Sequence, residues 1–277
     1  MKYLVIDPVI LDLGFVKIYW YGVMYLLAFL AAYFLAKYRA SSWNSITRTD
    51  ITIKDSNVQN WNIRQVDDLI FYGALGAVLG GRLGYLVFYN FSIFISNPLT
   101  FFNFQNGGMS FHGGFIGVLL AMLFFNRKSN HSFFQTTDFI APLVPLGLAF
   151  GRIGNYINGE LWGKITTSPL GLYAPDQSGQ WAQRYPSQLY EAFLEGFVLF
   201  FILWIFSKKD RPVMATSSLF LIFYGTFRFI IEFIRVPDSH LGYMALDWIT
   251  MGQLLSLPMI LVGLYMFYKS YYLKGRS

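Results

Sequence analysis

Seven stretches of this chain run for about twenty residues each with almost no charge, the length a helix needs to cross a hydrocarbon layer. They cover residues 18–36, 69–90, 107–126, 139–159, 187–206, 213–233 and 248–268. Only Arg82, His112, Arg152, Glu191, Glu195, Arg228 and Glu232 place an acidic or basic group inside them. Charged residues make up 13% of the 277-residue chain, against about 25% in soluble domains. An ordinary soluble domain, a disordered chain and a coiled coil are thereby excluded. The first stretch is too long for the apolar core of a signal peptide, and no small-residue cleavage site follows it. The expected fold is an all-α polytopic membrane protein of seven spans, read as one domain over residues 1–277. Residues 161–186, rich in turn formers and without a period, are expected as a small irregular external cap.

Positive charge orients the spans. Thirteen Lys and Arg side chains fall in the segments after spans 1, 3, 5 and 7, and five fall on the opposite side: Lys2, Lys17, Lys164, Arg184 and Arg235. Such residues accumulate on the cytoplasmic side of membranes. The N-terminus is therefore expected outside and the C-terminus inside, with the polar segment 37–68 cytoplasmic. A miscount by one span would have destroyed the alternation. The uncharged, Phe-rich segment 91–105 is expected in the outer interface, and no internal repeat of the transporter kind is visible.

With that orientation the intramembrane polar groups fall in the outer half of the spans. Span 3 starts outside, which puts His112 near its outer end. Arg152, Asn155, Asn158 and Glu160 close span 4; Glu191 and Glu195 open span 5; Tyr224, Arg228 and Glu232 lie in the outer half of span 6, and Arg82 beyond the midpoint of span 2. One polar cavity open to the outer face is expected. An Arg at bilayer depth costs about 2.5–3.5 kcal/mol on insertion scales, so partners are required. Arg228 with Glu232, and Glu191 with Glu195, share helix faces at i,i+4 spacing. A bland reading of these pairs as staples of a helix bundle competes with a functional one. It is weaker for Arg152, because Arg beside Gly and Asn suits an anion better than a helix interior.

The chain has no cysteine, which excludes disulfides, thiolate nucleophiles of its own and Cys-ligated metals. His112, His131 and His240 lack ligand spacing, so no metal or other cofactor is expected. His131 and His240 are expected to be solvated in loops. Glycines at 76, 80 and 84 carry the spacing of closely packed membrane helices. Gly113 and Gly114, beside His112, are expected instead to leave room for a ligand.

At these residues the chain resembles the bacterial prolipoprotein diacylglyceryl transferase family. GGMSFHGGFIG (107–117), DFIAPLVPLGLAFGRIGNYINGELWG (138–163), RYPSQLYE (184–191) and YGTFRFIIEFIRVPD (224–238) carry the likeness. IYWYGVMY (18–25) and GGRLGY (80–85) fit it as well. The resemblance implies transfer of the diacylglyceryl group of phosphatidylglycerol to the lipobox cysteine of a prolipoprotein, giving a thioether and glycerol phosphate. It implies the first step of lipoprotein maturation, at the outer face of the bacterial cytoplasmic membrane. The implied partners are phosphatidylglycerol, the signal-peptide region of the prolipoprotein and the bilayer, with no nucleic acid. The implied functional positions are Tyr21, His112, Arg152, Asn155, Glu160, Tyr224, Arg228 and Glu232, with Glu191 supporting them. Residues 164–183 match no pattern of the family.

The residue chemistry agrees with that implication. Displacing a phosphodiester from a glycerol carbon builds negative charge on the leaving phosphate, which fixed guanidiniums stabilise, and Arg forks suit phosphate oxygens. Arg152 with Asn155 is the expected phosphate binder and Arg228 a second clamp, with Tyr224 beside it. The substrate thiol must lose a proton to react quickly. His112, Glu160 or a thiolate held by the arginines would each serve, and the residues do not choose among them. Transport of an anionic solute, using the same arginines, is the competing reading; uptake by reconstituted vesicles would support it. The signatures of intramembrane proteases are absent from the sequence.

Overall fold

The computed structural model describes residues 1–14, 16–46, 61–103, 107–176, 178–237 and 242–274. His240 and residues 47–60 of the polar segment lie outside the described residues. The chain is mostly helical and divides into two compact units, one of residues 1–35, 55–57 and 137–277, the other of residues 36–54 and 58–136.

The first unit opens with a hairpin, β1 (Val9–Asp12) and β2 (Lys17–Tyr19), which leads directly into helix α1 (Trp20–Ile46). Helix α1 runs ten residues beyond the apolar stretch because its continuation contains no Pro or Gly to stop it. The second unit is built on α2 (Ile63–Tyr89) and α4 (Phe111–Lys128). Between them lie the short helix α3 (Phe91–Ser96) and a 3₁₀ turn, Pro98–Phe102. Asn62 and Gln65 form a reciprocal cap at the start of α2, satisfying donors that a helix N-terminus leaves orphaned.

Helices α2 and α4 meet glycine to glycine. A Cβ placed on Gly80 would lie 2.8 Å from the Cα of Gly117, and one on Gly84 would lie 2.6 Å from the Cα of Gly113. Backbones approach this closely only without side chains between them. Gly113 is therefore a packing residue, which corrects the expectation that it leaves space for a ligand. Arg82 also departs from expectation. It is buried and donates to the carbonyls of Thr100, Phe101, Asn103, Gly107 and Gly108 at 2.5–3.2 Å, so its guanidinium fastens the segment between α2 and α4. His131 is likewise not solvated. It is 5% exposed, stacks on Trp61 at 3.9 Å between ring centroids, and lies 3.3 Å from the Gln65 side-chain oxygen. Burial holds its pKa below the ordinary imidazole value.

The polypeptide continues through α5 (Phe133–Ile140), a turn at residues 141–143, and α6 (Val144–Ile157), the two helices bent by 49°. Pro142 and Pro145 cause the break, since each lacks a helix donor and its ring crowds the preceding turn. A second hairpin, β3 (Leu172–Pro175) with β4 (Trp181–Arg184), then α7 (Ser187–Glu191), a π-helical segment (Ala192–Val198), α8 (Leu199–Phe206), α9 (Ala215–Ile231) and α10 (Met251–Lys274) complete the first unit. Asp138 reaches the start of α9. Its carboxylate accepts from the Met214 and Ser217 amides, each at 2.7 Å, acting as an N-cap supplied by another helix.

Residues 161–186 are more ordered than expected, because β3 and β4 pair antiparallel there. Their turn is fixed by Asp176, whose carboxylate accepts from the Ser178 hydroxyl at 2.6 Å and the Gln180 amide at 2.9 Å, and pairs with Arg184 at 2.9 Å. The Ser178 hydroxyl and the Gln180 amide hold the Asp176 carboxyl below its usual pKa.

Among the described residues, four helical stretches are long and apolar enough to cross a membrane: Trp20–Ser42, Ile63–Tyr89, Ser187–Phe206 and Met251–Tyr272. The bent pair α5–α6 makes a fifth if it is one span. Helix α9 is apolar but has 17 residues, and α4 spends its last turn on Asn126, Arg127 and Lys128.

Candidate active site

Most of the candidate residues stand on the first unit, and α6 is their base. Its C-terminal half, AFGRIGN, is small enough for neighbours to approach. A Cβ on Gly154 would lie 2.9 Å from the Tyr21 ring of α1, so that glycine is where Tyr21 enters. Tyr21 in turn meets Tyr25 edge to face at 5.1 Å, and Tyr25 interacts electrostatically with Arg152. Arg152 Nη1 lies 3.5 Å from the Asn155 side-chain oxygen. Asn155 donates through its Nδ2 to Glu160 Oε1 at 2.8 Å, and Asn158 does the same at 3.3 Å. Glu160 is flanked by two left-handed residues, Gly159 at φ +68° and Leu161 at φ +61°. A non-glycine residue there costs of order 1–3 kcal/mol and persists only when its surroundings hold it.

Two of the carboxylates come from the π-helical segment and the helix that precedes it. A π turn has i→i+5 bonds and often marks a functional position. Here it follows Glu191, carries Glu195, and presses Gly196 against Ala149 of α6, where a Cβ would meet the Ala149 Cα at 3.0 Å. From α9 come Arg228 and, at its C-terminal end, Glu232. Tyr224, one turn earlier on that helix, stacks on Phe220 at 5.6 Å and interacts electrostatically with Glu195 and Arg228.

Three arginines and three glutamates form one network. Arg152 Nε is 2.5 Å from Glu191, and Arg228 Nη1 is 3.4 Å from Glu191 and 3.7 Å from Glu195. Arg228 Nη2 is 2.7 Å from Glu232, Arg235 Nε is 3.1 Å from Glu232, and Arg235 also pairs with Glu191. Glu232 further accepts from the Thr250 hydroxyl at 2.6 Å, and Gly252 makes room for it, since a Cβ there would come within 2.6 Å of the Glu232 oxygen.

Exposure is unequal across this network. The side chains of Arg152 and Arg228 are 23% and 18% exposed, while Glu191 and Glu195 are each 1% exposed and Glu232 is 5%. The carboxylates are therefore the buried scaffold, and the Arg152 and Arg228 side chains are its more accessible part, although Arg228 Nη1 and the Arg235 side chain are themselves buried. Such a surface takes an anion, and the Arg forks favour one with several oxygens in a fixed geometry.

Tyr21, Arg152, Asn155, Glu160, Glu191, Tyr224, Arg228 and Glu232 thus all stand on the first unit. His112 belongs to the second. It lies in the first turn of α4, which is capped by Ser110, and its side chain is exposed beside Phe111. Arg235 was assigned by sequence to the external loop, yet it is buried within the network. Its spacing of three from Glu232 and seven from Arg228 was the available signal, masked by the Val-Pro-Asp that follows.

The chain matches the family described as prolipoprotein diacylglyceryl transferase over residues 8–269. It is 52% identical over 271 residues to the phosphatidylglycerol–prolipoprotein diacylglyceryl transferase of a Coxiella burnetii strain, covering 98% of each chain. It is 50% identical over 274 residues to the Pseudomonas fluorescens protein of the same name, covering 98% of this chain and 96% of that one. The corresponding Oleidesulfovibrio alaskensis protein is 52% identical over 264 residues, 95% of this chain and 93% of its own.

Proposed function

The chain belongs to the prolipoprotein diacylglyceryl transferase family, and from that premise we propose that its arginine surface holds the phosphate of phosphatidylglycerol during transfer to a prolipoprotein. The enzyme is a transferase that moves the diacylglyceryl group onto the lipobox cysteine, the first step of lipoprotein maturation. The observation that carries the site assignment is the unequal exposure of the network, in which the Arg152 and Arg228 side chains are partly exposed while the carboxylates that fix them are buried.

The mechanism follows from the residues. Arg152, with Asn155 beside it, and Arg228 bind the phosphodiester. The thiolate of the substrate cysteine attacks the glycerol carbon that bears the phosphate ester. The C–S bond forms as the C–O bond breaks, and its electron pair goes to the leaving phosphate oxygen, so glycerol phosphate departs. The growing charge on that phosphate is met by guanidiniums already fixed by Glu191 and Glu232, which need not reorganise during the reaction. Glu160 orients Asn155, Tyr224 flanks Arg228, and Tyr21 packs against the backbone of α6. His112 accepts the thiol proton in this reading, with Glu160 as the alternative acceptor.

We further propose seven spans, with α4 and α9 completing the set. Each is about 26–27 Å long at 1.5 Å per residue, enough for a thin or locally adjusted bilayer. The N-terminus and the 161–186 cap face outward in the bacterial cytoplasmic membrane, and the whole chain acts as one membrane domain. Purified protein, phosphatidylglycerol and a lipobox peptide test the function together. The expected product is a diacylglyceryl mass increment on the peptide cysteine; its absence, or its presence on a peptide lacking the cysteine, overturns the reading.

A further inference from the structure

The third residue of the chain is one of its most buried aromatics. Tyr3 is 4% exposed although nothing in its surroundings in the sequence marks it. The N-terminal segment meets β3 in a single parallel bridge at Lys2, with the Tyr3 amide donating to the Tyr173 carbonyl at 2.9 Å and the Tyr173 amide to the Met1 carbonyl at 3.0 Å. That pairing delivers the Tyr3 ring edge-on to Tyr156, at 5.2 Å between centroids, and to Trp162, at 4.9 Å. Its hydroxyl donates to the carbonyls of Tyr156 at 2.9 Å and Ile157 at 3.1 Å.

Those carbonyls belong to the last turn of α6, where a helix leaves acceptors unsatisfied. They directly follow Asn155 and precede the left-handed Gly159 and Leu161. The Trp162 indole donates to the Gly159 carbonyl at 2.9 Å, the Glu160 amide to the Asn155 carbonyl at 3.1 Å, and the Gln188 side chain to the Glu160 carbonyl. A strained turn persists only when its surroundings over-determine it. Tyr3 is the part of that restraint contributed from the chain's far end, more than 150 residues away in sequence.

We infer that Tyr3 is a positioning residue for the phosphate site: its hydroxyl, clamped on the Tyr156 and Ile157 carbonyls, sets the turn that holds Asn155 and Glu160 in register with Arg152. The inference rests on the proposed role of Arg152 and Asn155. The hydroxyl and the ring do separable jobs. The ring fills the space between Tyr156 and Trp162, and the hydroxyl fixes the turn. Tyr3→Phe keeps the first and removes the second.

The test is steady-state transfer by the full-length protein in detergent, with phosphatidylglycerol and a lipobox peptide varied in turn. For Tyr3→Phe the KM for phosphatidylglycerol should rise roughly five- to tenfold, the scale of one lost hydrogen bond, while the KM for the peptide stays within twofold. A purely structural role lowers the fraction of active molecules, which reduces kcat and moves neither KM. Tyr173→Phe, at the same bridge but half exposed, should leave both KM values unchanged. An unchanged phosphatidylglycerol KM in Tyr3→Phe, or equal rises for both substrates, overturns the inference. Wild-type protein that forms no diacylglyceryl peptide at all fails the underlying functional reading instead, a distinct result.

Discussion

Glu191 sits among three guanidiniums, and its burial makes its charge essential to them. Removing one partner of a buried ion network leaves the others uncompensated and costs about 3–5 kcal/mol. Glu191→Gln, nearly isosteric, should therefore lower the thermal midpoint markedly and cut yield, as a melting curve in detergent will report. Arg152 contrasts with it, being partly exposed and proposed to bind the phosphate. Arg152→Lys keeps the charge and loses the fork, so kcat/KM for phosphatidylglycerol should fall by about 1.5–3 kcal/mol of transition-state stabilisation with little change in melting. A lysine variant near wild-type activity would end the idea of bidentate phosphate binding there. His112→Gln tests the proton acceptor. Rates should drop roughly 10²–10⁴-fold, and the defect should shrink as pH rises toward the substrate thiol's own pKa; parallel pH profiles would move the assignment to Glu160. Much of this site was legible from residue type and spacing. Arg228 with Glu232 is an i,i+4 pair read directly from the sequence. Tyr3 was not legible, because it is buried by partners far along the chain, and Arg235 only in part, because its Glu232 partner is three residues away but its Glu191 partner is 44.

At the scale of elements, helices followed from apolar runs, whereas their interruptions depended on packing. The π-helical segment packs Gly196 against Ala149, and the two small hairpins have strands of only three or four residues, too short for periodicity to disclose them. The prolines that break α5 from α6 were in plain view, but a span reading smooths over a bend. His131 offers a test of the stack that ends α4. Its folded pKa lies below the unfolded value because burial disfavours the imidazolium. Between those two values the unfolded chain binds a proton that the folded chain refuses, so stability falls as pH drops below about 6.5 and is unaffected above it. The thermal midpoint of wild type should thus fall between pH 7.5 and 5.5 by more than that of His131→Phe, which preserves the stacking on Trp61 and cannot titrate. Equal slopes in the two proteins would show that the histidine is not the source. Helices α2 and α4 supply a second test. Gly80→Ala puts a methyl 2.8 Å from the Gly117 Cα, backbone that cannot move aside, and should destabilise the protein although alanine favours helix over glycine.

The whole molecule is defined by which side of the bilayer each loop occupies, and the network of arginines is useful only on the side where the lipid headgroup and the secreted substrate meet. The thirteen-to-five distribution of loop cations argues that the segments after spans 1, 3, 5 and 7 stay in the cytoplasm. The hairpin that includes β3 and β4 should then lie outside, with Arg152, Asn155 and Glu160 just before it in sequence at the outer end of α6. The absence of native cysteine makes this directly measurable, since a single introduced thiol is the only one in the protein. Ser178→Cys, on the exposed turn of the cap, and Lys209→Cys, exposed after α8, divide the alternatives. In intact cells or right-side-out vesicles a membrane-impermeant maleimide should label Ser178→Cys and leave Lys209→Cys unlabelled until the membrane is opened. An odd number of crossings separates the two positions in the proposed topology, because one span, Ser187–Phe206, lies between them. Labelling of both positions from the same side would break that span, and with it the assignment of the carboxylate-bearing segment to the outer half of the membrane. The opposite pattern, with only Lys209→Cys labelled, would keep the spans and invert the enzyme, placing the arginines proposed to bind the phosphate where no exported prolipoprotein could reach them.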